Sequence, residues 1–110
     1  MLVAFSVAPS GEAPHTSPGS PASSRDASVH DAVAAAVRIV RESGLPNHTD
    51  SMFTTIEGEW DEVFDVIKRA TDAVGAFGSR VSLVLKADIR PGYSGELAGK
   101  LERLEKAIDG

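Results

Sequence analysis

Cysteine is absent from the chain. Disulfide frameworks, thiolate metal sites and cysteine nucleophiles are thereby excluded, nothing marks an oxidising compartment, and a cytoplasmic address is the default expectation. Positive charge is scarce: 11 Lys and Arg stand against 16 Asp and Glu, for a formal net charge of -5. A phosphate-backbone binder needs clustered cations to displace counterions, so nucleic acid is not an expected partner. Long apolar runs are also missing. The N-terminal stretch MLVAFSVAP lacks a basic leader and is too short for a signal-peptide core with its cleavage site, or for a membrane span. It reads as a first strand, and no membrane partner is expected. His15, His30 and His48 form no i,i+4 pair and have no carboxylate motif at ligand spacing, so no metal site is expected. No GxxxxGK(S/T) or GxGxxG phosphate cradle occurs either.

What is present suits one domain spanning residues 1–110: 42% hydrophobic side chains can fill one core but not two. Leu2 to Ala8 reads as a buried strand closed by Pro9 and Gly11. Residues 9–27, PSGEAPHTSPGSPASSRDA, carry four prolines and no aromatic or large aliphatic side chain, which predicts a flexible loop. Ser28 is placed to cap a helix whose apolar positions are Val29, Ala32, Val33, Ala36, Val37 and Val40, ended by Gly44 and Pro46. Asn47 to Gly58 reads as two short strands turning around Asp50 and Ser51. Glu59, Asp61 and Glu62 favour the positive end of a second helix, with Trp60, Val63, Phe64, Ile67, Ala70 and Val74 as its apolar stripe; Trp60 is assigned to the core. Arg80 to Ile89 reads as a fourth strand. A last helix carries Leu97, Leu101, Leu104 and Ile108 at spacings of four, three and four.

This order predicts an α+β fold, a ferredoxin-like βαββαβ sandwich with an additional C-terminal helix. Its sheet order would be 4-1-3-2, with both main helices on one face. Strand parity then assigns side chains to faces. Val3, Phe5, Val7, Ile56, Leu83, Leu85 and Ala87 face the helices. Ser6, Thr55, Glu57 and Lys86 gather on the open face, beside the small Ala4 and Ala8. A carboxylate is disfavoured in a strand, so Glu57 among hydroxyls and an ammonium reads as part of a polar pocket that closes when two sheets stack.

The segments LVAFSVAPSG, AVRIVRESGLP, MFTTIEGEWDEVFDVIKRA and RVSLVLKADIRPG resemble the small thiamine-binding protein family of archaea, bacteria and yeast. The resemblance covers residues 1–11 and 28–108, and TTIEGEWDEV after ESGLP is its specific part. It implies a ferredoxin-like protomer, dimers formed by stacking sheets and often joined into tetramers, and binding of thiamine or its hydroxymethylpyrimidine half without established catalysis. The loop after Pro9 is longer and richer in Ser and Pro than the family pattern. Thiamine offers an amine donor, ring-nitrogen acceptors and a thiazolium cation. Glu57 suits the amine or the cation as the main anchor, while Ser6 and Thr55 supply further hydrogen bonds. Lys86 completes the patch, Phe53 is a stacking candidate, and Thr54 and Arg90 are weaker candidates. Thiamine is then a ligand, with no separate cofactor, and the unphosphorylated form is favoured. Two other readings stand beside this one. Glu57 and Lys86 could form a cross-strand ion pair in a structural oligomeric module without a ligand, or act as an acid–base pair in an enzyme, although no nucleophile, metal or cofactor motif supports catalysis.

Overall fold

The computed structural model describes residues 1–11 and 22–110, so the middle of the segment read as a flexible loop, residues 12–21, lies outside the described residues. The elements are β1 (Leu2–Ser10), α1 (Ala22–Glu42), β2 (Asn47–Thr49), β3 (Thr54–Glu57), α2 (Trp60–Val74) followed by a 3₁₀ turn (Gly75–Phe77), β4 (Arg80–Asp88) and α3 (Glu96–Asp109). The strands form one antiparallel sheet in the order β2-β3-β1-β4, and the fold is the ferredoxin-like α+β arrangement with an added C-terminal helix.

The core lies between the sheet and α1 and α2. Val3, Phe5 and Val7 from β1 and Ile56 from β3 meet Ala32, Ala36 and Val40 of α1 and Val63, Val66, Ile67, Ala70 and Val74 of α2. Alternation along β1 and a helical period along α2 bring these residues together because each element buries one face. In α1 the buried line is Ala32, Ala36 and Val40, whereas Val29 and Val33, expected on the apolar face, are exposed. Gly44 then ends the helical run in the left-handed region, φ +79, which a residue without Cβ adopts at no steric cost.

Three boundaries and the burial of Trp60 also need correction. α1 begins at Ala22 rather than at a Ser28 cap. No Pro or Gly lies between Ala22 and Ser43, so nothing in residues 22–27 opposes extension of the helix toward its N-terminus. β1 runs through Pro9 to Ser10, which pair with Val81 and Arg80 of β4. Proline is tolerated there because β3 pairs only with Leu2 to Phe5, so this end of β1 has a neighbour on one side alone. At that end Gly78 approaches β1 so closely that a Cβ on it would stand 2.6 Å from the Ser10 carbonyl oxygen. β4 stops at Asp88, one residue before the expected Ile89.

Trp60 is not a core residue: it is 53% exposed, with its ring stacked on Phe64 at a centroid distance of 5.2 Å. It is the first residue of α2, three positions after β3 leaves the sheet, and the helix meets the core only from Val63 onward. The 50–53 turn of the hairpin is closed by the Asp50 carboxylate, which accepts from the Met52 and Phe53 N–H groups at 2.8 and 2.9 Å. Leu83 and Leu85 have the predicted parity but remain more than a third exposed, because β4 is an edge strand.

Candidate functional site

Strand register places the side chains of the open sheet face. Glu57, Leu2 and Asp88 share one rung; His48, Thr55, Ala4 and Lys86 share the next; Ser6 lies opposite Val84 beyond them. Ser6, Thr55, Glu57 and Lys86 therefore do occupy one face, since directly opposed residues point the same way. They do not form one cluster. Lys86 is two interstrand spacings from Thr55, roughly 10 Å. Among the described residues no ion pair joins Lys86 to Glu57; the recorded pairs are Lys68–Asp72, Arg69–Asp65, Lys100–Asp88 and Arg103–Glu96.

A cavity of about 630 Å³ opens over the Glu57 end of this face. Its floor is Leu2, His48, Thr55 and Glu57, and its other wall is the first turns of α3, from Gly95 to Leu101. Ser6 and Lys86 are not among the lining residues. The wall is therefore supplied by the chain's own last helix, where the sequence had suggested a stacked sheet.

α3 reaches this position because the chain behind β4 turns through Gly92 and Gly95, at φ +83 and +70. Gly95 is the residue before the helix and has no side chain with which to satisfy the first amides. Glu57 does so instead. Its Oε2 accepts from the Glu96 N–H at 2.7 Å, and its Oε1 lies 3.5 Å from the Leu97 nitrogen. A carboxylate at a helix N-terminus meets both unpaired donors and the positive end of the dipole, an interaction of about 0.3–1 kcal/mol at the surface and up to ~2 kcal/mol when partly buried. This explains why a glutamate can end β3: it is only 7% exposed, yet its charge is engaged.

Two ion pairs lie in the same region, one between α3 and the sheet and one within α3. Lys100 reaches across to Asp88 on β4, and its hydrogen bond keeps the Asp88 carboxyl below its ordinary 3.8. Arg103 donates to Glu96 at 2.6 Å and holds that carboxyl below its ordinary 4.5. The state that has lost the pair, by undocking of α3 for Asp88 and by unfolding of α3 for Glu96, binds a proton more readily, so the stabilisation is full above the ordinary value and disappears as pH falls through the lowered one. Side-chain carboxyl NMR shifts of Asp88 and Glu96 are therefore expected to hold steady from pH 7 to about pH 5 and to move only below the ordinary carboxylate range. A transition between pH 5 and 7 would contradict this assignment.

The remaining candidates fall elsewhere. Thr54 is buried on the helix-covered side of β3, where its hydroxyl is 3.2 Å from that of Thr49. Phe53 precedes β3 in the Asp50-closed turn. Arg90 lies beyond β4 with its guanidinium 3.6 Å from the centre of the Tyr93 ring, beside a smaller cleft of about 170 Å³ that includes Trp60. Sequence reasoning missed His48 and Lys100. His48 had a usable signal, its parity opposite Thr55, whereas nothing local to α3 told where that helix would dock.

The cavity thus offers an apolar slot between Leu2 and Leu101, two buried carboxylates, Glu57 and the Arg103-paired Glu96, the Thr55 hydroxyl and the His48 imidazole. It suits a flat, partly apolar molecule with a donor or a positive charge. Among the described residues, no group of three or more His, Asp or Glu could hold a metal ion, and no helix is long and apolar enough to cross a membrane.

Comparison with known proteins bears on the chain as a whole. Residues 19–105 match the family profile described as thiamine-binding protein. A UPF0045 protein of Mycobacterium bovis is 44% identical over 109 residues, covering 98% of this chain and 94% of that protein. Among solved structures, a domain of unknown function from Bacillus cereus is similar with a TM-score of 0.66 at 29% identity, covering 87% of this chain and 83% of its own. A Thermotoga maritima protein described as a candidate for thiamine biosynthesis or salvage shares the fold, with a TM-score of 0.68 at 23% identity, covering 93% and 97%.

Proposed function

Because the chain belongs to the thiamine-binding protein family, we propose that the cavity between the open sheet face and α3 binds thiamine or its hydroxymethylpyrimidine half, and that the protein is a non-catalytic carrier or sensor. The observation that carries this reading is the buried Glu57 carboxylate on the floor of a largely apolar cavity of about 630 Å³. That volume falls within the range of about 300–1,000 Å³ typical of small-molecule sites.

The roles follow from the chemistry of each group. A carboxylate has about four acceptor directions, and the α3 amides occupy at most two of them. Glu57 can therefore accept from the exocyclic amine while its charge favours the thiazolium. Thr55 can donate to a ring nitrogen, and His48 borders the opening. Leu2 and Leu101 supply the apolar surfaces against which a heterocycle lies. A diphosphate is disfavoured, because Lys100 is already bound to Asp88 and the nearby charges Glu57, Glu96 and Asp88 are negative.

Self-association belongs to the same reading. Leu101, Leu104 and Ile108 form an exposed apolar stripe on α3, and their heptad-like spacing suits a second copy of the same helix, with Lys100 and Glu105 of opposite sign flanking it. That stripe also favours the second reading, an oligomeric module without a ligand.

Calorimetric titration with thiamine, hydroxymethylpyrimidine and thiamine diphosphate separates the two. The expected result is micromolar binding of thiamine or the pyrimidine and weaker binding of the diphosphate, with thermal stability rising by mass action. No heat with any of the three, together with concentration-dependent self-association, would leave the ligand-free module.

A further inference from the structure

We infer that Glu57 is a positioning residue that ties occupancy of the cavity to the docking of α3, making this helix a ligand-responsive wall. The inference rests on the reading that the cavity takes thiamine.

α3 is held by little besides its first two turns. Its apolar residues Leu101, Leu104 and Ile108 are 63%, 54% and 67% exposed, so burial within the protomer contributes little to keeping it in place. Two polar tethers remain between α3 and the sheet: the Glu57 carboxylate on the first amides and the Lys100–Asp88 ion pair. The segment before the helix contains Gly92 and Gly95 in the left-handed region, where backbone reorientation meets no Cβ. These are the parts of a hinged wall with a latch.

The latch and the ligand site share an atom group. Glu57 Oε2 makes the short contact to the Glu96 N–H, while the 3.5 Å separation of Oε1 from the Leu97 nitrogen is longer than an ordinary N–H···O hydrogen bond. Oε1 thus retains acceptor capacity on a carboxylate that lines the cavity. A donor group there can engage Oε1 without displacing the Glu96 N–H. A ligand touching both the sheet floor and the α3 wall binds the docked arrangement only. It therefore shifts the docking equilibrium by its differential affinity, and any loosening of α3 weakens binding in turn.

Reciprocity supplies a test at a residue that does not line the cavity. Asp88 holds Lys100 from β4 and is absent from the cavity lining. Amide hydrogen exchange of residues 96–101 would be followed in the wild type, Glu57→Gln and Asp88→Ala, with and without saturating thiamine, alongside calorimetry. Exchange at Glu96 and Leu97 should be about tenfold faster in Glu57→Gln, with a smaller acceleration in Asp88→Ala, while amides around Ile56 and Val63 stay protected. Thiamine should slow α3 exchange in the wild type, and Asp88→Ala should bind it several-fold more weakly despite making no contact with it. Heat of binding with unchanged α3 exchange would overturn the coupling and leave the binding reading intact. Unchanged affinity in Asp88→Ala, or equal acceleration in the core of Glu57→Gln, would overturn it as well. Absence of any heat with the wild type would overturn both.

Discussion

Replacing Glu57 with alanine is expected to weaken thiamine binding by about 10- to 150-fold, the equivalent of about 1.5–3 kcal/mol for a hydrogen bond to a charged group. The substitution removes the acceptor on the cavity floor and also leaves the Glu96 and Leu97 amides at the start of α3 without their partner. Gly95 cannot replace it, having no side chain. Both losses act in the same direction. The core is untouched, because Glu57 faces away from α1 and α2, so urea denaturation should report a far smaller effect than calorimetry. An alanine protein that binds as tightly as the wild type would remove Glu57 from the site.

The largest effect on stability is expected from Ile56→Ala, one residue earlier and on the opposite face. Ile56 is fully buried at the centre of the core, opposite Val3 on β1. Truncating a buried isoleucine costs about 2–5 kcal/mol, the lost transfer free energy plus the cavity left behind. A domain of this size is stable by only about 5–15 kcal/mol, so the midpoint of urea denaturation should fall steeply. Leu104→Lys makes the contrast. Leu104 is 54% exposed on α3, so the protomer should unfold at nearly the same urea concentration, while any self-association through that stripe is lost in sedimentation. An Ile56→Ala protein as stable as the wild type would contradict the placement of β3 between the helices and the open face.

Neighbouring residues with opposite fates show what the sequence makes legible. Alternation sends Ile56 to the core and Thr55 and Glu57 to the open face, and the registers β1–β3 and β1–β4 agree. Alternation fixes such placements along a strand, and the order of elements points to the fold and its sheet order, which is why the shared face of Ser6, Thr55, Glu57 and Lys86 could be read directly. Which part of that face forms a cavity could not, because it depends on where α3 docks. That docking is decided by a contact between residues 57 and 96, which are 39 positions apart, and no local pattern reports it. The spacing of Leu97, Leu101, Leu104 and Ile108 marks one apolar stripe of α3, and three of those side chains are exposed, but Leu97 and Leu101 also line the cavity. Pro9 and Ser28 misled for a simpler reason. A proline closes a strand only where a ladder hydrogen bond is needed on both sides, and a serine marks a helix start only if the preceding residues resist helix. Trp60 fits the spacing of the α2 stripe but falls before the helix reaches the core.

A crystal structure of the protein grown with thiamine tests the central claim most directly. The account predicts the ligand between Thr55, His48 and the first turns of α3, with a donor group within hydrogen-bond distance of Glu57 Oε1 and the Glu96 amide still held by Oε2. Thiamine lying instead over Ser6 and Lys86, away from α3, or in the cleft beside Trp60 and Arg90, would contradict it.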